Sequence, residues 1–169
     1  CSASANAIGD GAELIRRGAA DVVVAGGSEA AITTFGIATF AQARALSSRN
    51  NEPQRASRPF DADRDGFVMG EGGAALILED MEKAIDRGAP VLAELTGYGM
   101  SADAYHITLP RPGGSGAARA MVNAVEDAGL APEDIGYINA HGTSTEANDS
   151  TETAAIRIAM GGAADTVPV

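Results

Sequence analysis

The residue pattern predicts a layered α/β fold, and three observations carry that expectation. Stretches of helical period alternate with short apolar runs, as in Ala3–Arg17 followed by Val22–Ala25. Those runs are unbroken rather than alternating, the pattern of strands buried on both faces in a parallel sheet. The chain is 45% hydrophobic with only 4% aromatic residues and 21 glycines, which suits helices packed through small side chains and argues against disorder. Its 169 residues suffice for one ordinary core.

Taken in order, residues 3–17 read as a helix with Ile8, Ala12 and Ile15 on one face beside Gly11. Ser4 or Asn6 is the expected cap and Gly18 the stop. Gly9 and Gly11 weaken a helix by roughly 1 kcal/mol each relative to Ala, so they are expected where another backbone passes close. Val22–Ala25 is a strand closed by Gly26-Gly27-Ser28-Glu29. Residues 32–46 are compatible with helix or irregular structure, and Ser47 to Pro59 is a polar surface loop. Asp61, Asp63, Asp65 and Gly66 imitate part of a calcium loop, but the twelfth position is Gly72 where a glutamate is required. A turn network with Arg64 paired to a neighbouring carboxylate is the better expectation.

Gly70-Glu71-Gly72-Gly73 precedes a strand at Ala74–Glu79, so it is no dinucleotide fingerprint, which joins a strand to a helix. Asp80 should cap a short helix that Gly88 stops. Val91 to Tyr98 reads as a strand, and Ser101 to Pro112 as a loop kept irregular by its prolines. A helix over 116–128 with Ala118, Met121, Val122 and Val125 on its apolar face, a turn at Pro132-Glu133-Asp134, a strand over 135–139, a helix over 150–160 and a strand from Thr166 complete the chain.

Charge and composition exclude several function classes. A net charge of -11 disfavours nucleic acid and anionic membrane as partners. No apolar run is long enough to span a bilayer, and no signal peptide is visible. One cysteine excludes an internal disulfide framework and suits a reducing compartment. Because Cys1 is not a plausible initiator, the chain is expected to be processed or to be a piece of something longer.

Two residues stand out chemically. Cys1 precedes a helix, where unpaired N–H groups and the helix dipole stabilise a thiolate and can hold a developing oxyanion; its bland alternative is a small buried hydrophobe. An N-terminal Cys could also act as an autoprocessed hydrolase, but such nucleophiles sit on strands. His141 ends a strand and enters Gly142-Thr143-Ser144-Thr145, where a neutral imidazole can donate to a carbonyl or accept a proton, unless it only satisfies loop carbonyls. Thr143 and Thr145 can bind a polar linear ligand or merely stabilise a turn. His106 belongs to a polar loop and reads as surface or binding. Two histidines and one cysteine without local ligand spacing do not make a metal site.

Taken together, Cys1-Ser2-Ala3-Ser4-Ala5, Ala25-Gly26-Gly27-Ser28-Glu29, Arg58-Pro59-Phe60-Asp61-Ala62-Asp63-Arg64-Asp65-Gly66-Phe67, Gly70-Glu71-Gly72, Asp103-Ala104-Tyr105-His106 and Asn139-Ala140-His141-Gly142-Thr143-Ser144-Thr145 form an ordered set. The sequence resembles the β-ketoacyl-[acyl carrier protein] synthases, the elongating condensing enzymes of fatty acid synthesis, and among them the synthase II type. The resemblance implies a thiolase-like α-β-α-β-α fold. Residues 1–90 would be the end of its N-terminal half, with the nucleophile helix, and residues 91–169 the start of its C-terminal half, with the His loop. It also implies that Cys1 takes the acyl group as a thioester and that His141 assists malonyl decarboxylation. Thr143 and Thr145 would hydrogen-bond the phosphopantetheine arm, and Phe40 would line the acyl pocket. Arg44 would lie near the carrier entrance. Asp103, His106 and Thr108 would belong to a loop near the pantetheine channel, with Asp149 and Glu152 as a structural acidic pair.

The same resemblance implies a homodimer that works with acyl carrier protein in the cytoplasm, or in an organelle stroma or matrix. It implies no metal and no redox cofactor, since the carrier's own arm delivers the substrate. The family continues into a Ser-Ser-x-Lys segment and a Gly-His motif and is preceded by a large N-terminal portion; neither is in this chain, so a partial site is expected. A polyketide ketosynthase shares the motifs. A chain-length-factor subunit typically lacks the nucleophile, and the thiolases proper, which use coenzyme A, are disfavoured by His141-Gly142-Thr143-Ser144-Thr145.

Overall fold

The computed structural model describes all 169 residues. Packing divides the mixed α/β chain into two compact units. One comprises Cys1–Ala30 with Gly70–Thr96, the other Ala31–Met69 with Gly97–Val169.

The first unit holds α1 (Ala3–Arg16), β1 (Val22–Glu29), a second strand that follows the excursion through the other unit, and a short helix after it. α1 begins at Ala3, two residues before a Ser4 cap would start it and four before an Asn6 cap would. Ser2 occupies the N-cap without a side-chain hydrogen bond, and its carbonyl accepts the Asn6 amide at 2.9 Å. Gly18, in the left-handed region at φ 70°, ends the helix. At Gly11 it is side chains, and not a second backbone as expected, that come close: a Cβ there would lie 3.0 Å from Val23 Cγ1 and 3.2 Å from Leu78 Cδ1. α1 therefore lies down on the sheet through its glycine and alanine face, burying Ala12 and, on the strand beneath, Ala25.

The sheet corrects one expectation. β1 pairs with β2 (Gly72–Glu79) antiparallel, from Val22 opposite Glu79 to Glu29 opposite Gly72, and not in the parallel sense that its unbroken apolar run suggests. An apolar run reports the environment of both faces and carries no information about the direction of its partner. Within this unit the face away from α1 is open, and the opposed pair Val24 and Ile77 is 70% exposed at both positions. Asp80 caps α3 (Met81–Asp86) by accepting the Lys83 amide at 3.2 Å, as its sequence position predicts.

The second unit contains α2 (Thr34–Gln42), α4 (Ser115–Asp127) and α5 (Glu146–Met160). Its core is the small-residue seam of α4 against α5: Ala118, Ala155, Ile156, Ala159 and Met160, with Met121, Val122, Val125, Ile135 and Ile138 packed around it. Thr33 resolves the ambiguity over residues 32–46 in favour of helix by accepting the Gly36 amide at 3.0 Å. α5 starts at Glu146, four residues before the expected 150, because Thr145 provides the cap.

Three expected strands do not form. Val91–Tyr98, 135–139 and Thr166–Val169 carry no ladder; the one backbone bond between the last two runs from the Ile138 amide to the Pro168 carbonyl at 2.9 Å. β-competent composition makes a segment able to pair, but a strand exists only where a neighbour offers its backbone. At the end of the first of these segments the chain instead packs against α4. A Cβ on Gly97 would lie 2.2 Å from the Ala124 carbonyl oxygen.

Candidate functional site

The loop His141–Thr145 is fixed by two carboxylates from the first turns of α5. Glu152 accepts the His141 amide at 2.6 Å and the Gly142 amide at 2.8 Å. The backbone of the histidine is thus locked to a helix while its side chain stays exposed. Three residues earlier on the same helix face, Asp149 is only 1% exposed. It accepts the Ser144 amide at 3.1 Å and the Phe60 amide at 2.8 Å. Asn148 bridges the two acids, donating to Asp149 at 3.2 Å and Glu152 at 3.1 Å. A buried carboxylate holds its place when its lone pairs meet donors and a cation, and both kinds of partner are present.

The cation is Arg64, whose Nε lies 3.5 Å from Asp149 Oδ2. The sequence anticipated a carboxylate partner for Arg64 but not that it would come from α5. The same Nε donates to the Thr145 carbonyl at 3.0 Å, and Nη1 and Nη2 donate to the carbonyls of Asp61 and Glu146, each at 2.9 Å. Ser144 is fully buried in the left-handed region at φ 69°. Its hydroxyl accepts the Arg58 amide at 3.1 Å and its carbonyl accepts the Gly66 amide at 3.0 Å. That turn brings the flanking side chains together, so that the hydroxyls of Thr143 and Thr145 lie 2.8 Å apart. Thr145 also caps α5, accepting the Asn148 amide at 3.2 Å.

The other candidates occupy two further places in the same unit. Phe40, on α2, stacks edge-on to Phe67 with ring centroids 5.3 Å apart. Arg44 follows that helix in the left-handed region at φ 53°. Asp103, His106 and Thr108 share the loop before α4. Asp103 accepts the Arg111 amide at 2.7 Å. His106 Nδ1 accepts the amides of Thr108 and Leu109, each at 3.1 Å. An imidazole accepting at Nδ1 carries its proton on Nε2, which fixes the tautomer. Cys1 belongs to the first unit, where it is exposed just ahead of α1.

The residues 61–65 form a turn network. Asp61 accepts the Asp63 amide at 2.8 Å, and Asp65 accepts the Ser47 hydroxyl at 2.6 Å and the Ser48 amide at 3.0 Å. These bonds hold the Asp65 carboxyl below its ordinary pKa, the Ser47 hydroxyl contributing most. Ser144, Asn148 and the true partners of Arg64 escaped the sequence. The resemblance named Asp149 and Glu152 as a structural acidic pair, but the helix expected over 150–160 left Asp149 outside it, and nothing local named the amides the two acids would bind.

Residues 1–84 match the N-terminal domain of β-ketoacyl synthase and residues 92–169 its C-terminal domain. Over all 169 residues the chain is 57% identical to 3-oxoacyl-[acyl-carrier-protein] synthase 2 of Synechocystis sp., covering 41% of that protein. It is 52% identical over 158 residues, 93% of its length, to the mitochondrial 3-oxoacyl-[acyl-carrier-protein] synthase of Arabidopsis thaliana, covering 34% of it. A ketosynthase solved in complex with its type II polyketide acyl-carrier protein superposes with a TM-score of 0.95 at 43% identity, over 99% of this chain and 41% of that one. The crystal structure of a β-ketoacyl synthase from Burkholderia phymatum gives a TM-score of 0.91 at 44% identity, over 95% of this chain and 39% of that one. The chain spans about two fifths of the length of these relatives. Its layered α/β arrangement is that of the thiolase-like ketosynthases. With the two domains of one family matched end to end along it, and solved members of that family superposing on it, the chain belongs to the β-ketoacyl synthases.

Proposed function

We propose that the whole protein is a β-ketoacyl-[acyl carrier protein] synthase that elongates fatty acyl chains by decarboxylative Claisen condensation. The Cys1 thiolate attacks the carbonyl of an acyl thioester, the pantetheine sulfur leaves as a thiolate that takes a proton from solvent, and the acyl group rests on the Cys1 sulfur. Malonyl carrier protein then loses CO₂, and the electron pair left behind forms an enolate. Its carbon attacks the Cys1 thioester and expels the thiolate, giving the 3-oxoacyl carrier thioester. His141 donates a hydrogen bond to the enolate oxygen, and the hydroxyls of Thr143 and Thr145 hold the pantetheine arm. Phe40 lines the acyl pocket, Arg44 faces the carrier protein, and Asp103, His106 and Thr108 border the pantetheine channel. Residues 1–90 and 91–169 then belong to successive halves of the fold, an assignment supported by the two domain matches at 1–84 and 92–169.

The observation that carries this proposal is the locked loop with an exposed imidazole. The Glu152 carboxylate spends itself on the amides of His141 and Gly142, leaving the ring free to meet a substrate. A donor aimed in advance at developing charge is worth about 10² or more in rate. His141→Ala should therefore lose about 10²-fold in CO₂ release from malonyl carrier protein while Cys1 acylation stays measurable. Separate assays of labelled acyl transfer and labelled CO₂ release on the whole protein test this. Abolished acyl transfer with CO₂ release spared would make His141 the base for the thiol instead.

The likeness to a type II polyketide ketosynthase, at 43% identity, supports a second product class with the same chemistry. Product analysis separates them, since a fatty acid enzyme accepts fully reduced acyl chains and a polyketide enzyme extends unreduced ones. The partner in either case is an acyl carrier protein, an acidic domain docking at a basic patch that includes Arg44; Arg44→Glu should raise the KM for carrier substrates. A homodimer without a nucleic-acid role is the assembly we infer, the latter from the net charge of -11. No helix is long and apolar enough to cross a membrane, and the cytoplasm, or an organelle stroma or matrix, is the proposed location.

A further inference from the structure

We propose that Arg64 is a positioning residue that presents the Thr143–Thr145 hydroxyl pair to the substrate arm. The inference rests on the proposed contact of those threonines with pantetheine. Arg64 lies far from them in sequence, and its side chain is only 16% exposed. Its Nε and Nη2 bind the carbonyls of Thr145 and Glu146, the two residues at which the loop turns into α5. Its Nη1 binds the Asp61 carbonyl of its own turn, so one planar group ties two loops together. The Gly66 amide adds a second tie to the Ser144 carbonyl.

The loop has two holds that act at different places. Glu152 grips the amides of His141 and Gly142, at the imidazole end. Arg64 grips the carbonyls at the threonine end, and Thr145 there both caps α5 and pairs with Thr143. Loss of Arg64 should thus displace the hydroxyl pair and leave the histidine hold in place. A lysine cannot substitute, because a single ammonium lacks the planar fork that reaches carbonyls on two sides at once.

In the whole protein, Arg64→Lys should raise the KM for malonyl-pantetheine about tenfold, the scale of one lost charge-assisted hydrogen bond, with kcat changed less than about threefold. Thr145→Val should raise the same KM, and the double variant should add little, since residues acting through one another are non-additive. A fall in kcat at unchanged KM, or additive effects, overturns the role of Arg64. A raised KM in Thr145→Val beside an unaffected Arg64→Lys overturns this inference alone. An unchanged KM in Thr145→Val overturns the pantetheine contact, and the inference with it. Should Arg64→Lys fail to fold, hydrogen exchange on the unaltered protein decides the matter. Saturating pantetheine should slow amide exchange in both 58–67 and 141–149, whereas protection confined to 141–149 overturns the coupling.

Discussion

The proposed nucleophile and the histidine loop are built by opposite means. Cys1 is exposed at the start of α1, behind an N-cap residue that makes no side-chain hydrogen bond. The His141–Thr145 loop is held by two acids of α5, and by Arg64 and the Arg58 amide of the turn over 58–66, the last of these bound to the loop's own buried Ser144. The difference fits the roles proposed for the two groups. A thiolate at a helix start is stabilised by the field of backbone N–H groups, which comes with the helix and asks little of the surroundings. A donor for an enolate must stand at a defined point, and a loop stands still only if its backbone polar groups are satisfied. The molecule should therefore tolerate substitution at Cys1 and resist it around Asp149.

Asp149→Ala is the sharpest way to break that comparison. It strips the acceptor from the Ser144 and Phe60 amides and leaves Arg64 without its carboxylate, so it should destabilise by about 3–5 kcal/mol. The midpoint of urea unfolding of the whole protein measures it, and a change under about 1 kcal/mol would mean that the loop is held by something else. Next in size is Gly66→Ala. Gly66 sits at φ 145°, and a Cβ there would fall 2.4 Å from the Leu46 carbonyl carbon and 2.5 Å from the Ser47 nitrogen, both backbone atoms. Overpacking of this kind costs about 1–3 kcal/mol and, by displacing the backbone, should also weaken the bond from the residue-66 amide to Ser144. Cys1→Ala marks the opposite pole. Its stability should match the wild type within about 0.5 kcal/mol while labelled acyl transfer disappears.

The same contrast explains how much could be seen in the sequence. The helix caps and stops at Asp80, Gly18 and Gly88 were legible because they are local: a side chain meets an amide three residues away, or a glycine takes a left-handed turn. The core seam of α4 was legible for the same reason, through the spacing of Ala118, Met121, Val122 and Val125. Strand pairing was not. The direction of β1 against β2 and the missing ladders at 91–98 and 135–139 depend on which backbone lies alongside, a property of the fold and not of the segment. In the site, the residue types were legible and their partners were not. Arg64 reaches Thr145 across 81 positions and the Phe60 amide reaches Asp149 across 89, and no local rule spans such separations.

The smallest expected effect separates the units by the kind of force that holds their acids. In the first unit, Arg87 grips the Glu79 carboxylate at 2.8 and 2.6 Å and lowers its pKa below the ordinary value, mainly through the hydrogen bond and further through charge attraction. In the second, Asp65 is lowered chiefly by the neutral Ser47 hydroxyl and Ser48 amide, with the Arg49 charge contributing least. Both carboxyls thus hold fewer protons in the folded state than in the unfolded chain at mildly acid pH. Each contributes stability that is fully present above the unfolded carboxylate pKa and is lost as pH falls through the lowered folded value. Salt discriminates between them, because it screens an ion pair whose Arg87 partner is exposed and leaves a hydrogen bond from a neutral donor nearly untouched. Carboxyl carbon shifts followed by NMR on acidification should show Glu79 moving back towards the ordinary carboxylate range in 1 M salt, on the order of a 3 Å screening length. Asp65 should stay low at either ionic strength and rise only in Ser47→Ala. If Asp65 moves with salt as far as Glu79 does, charge and not hydrogen bonding holds the second unit's turn.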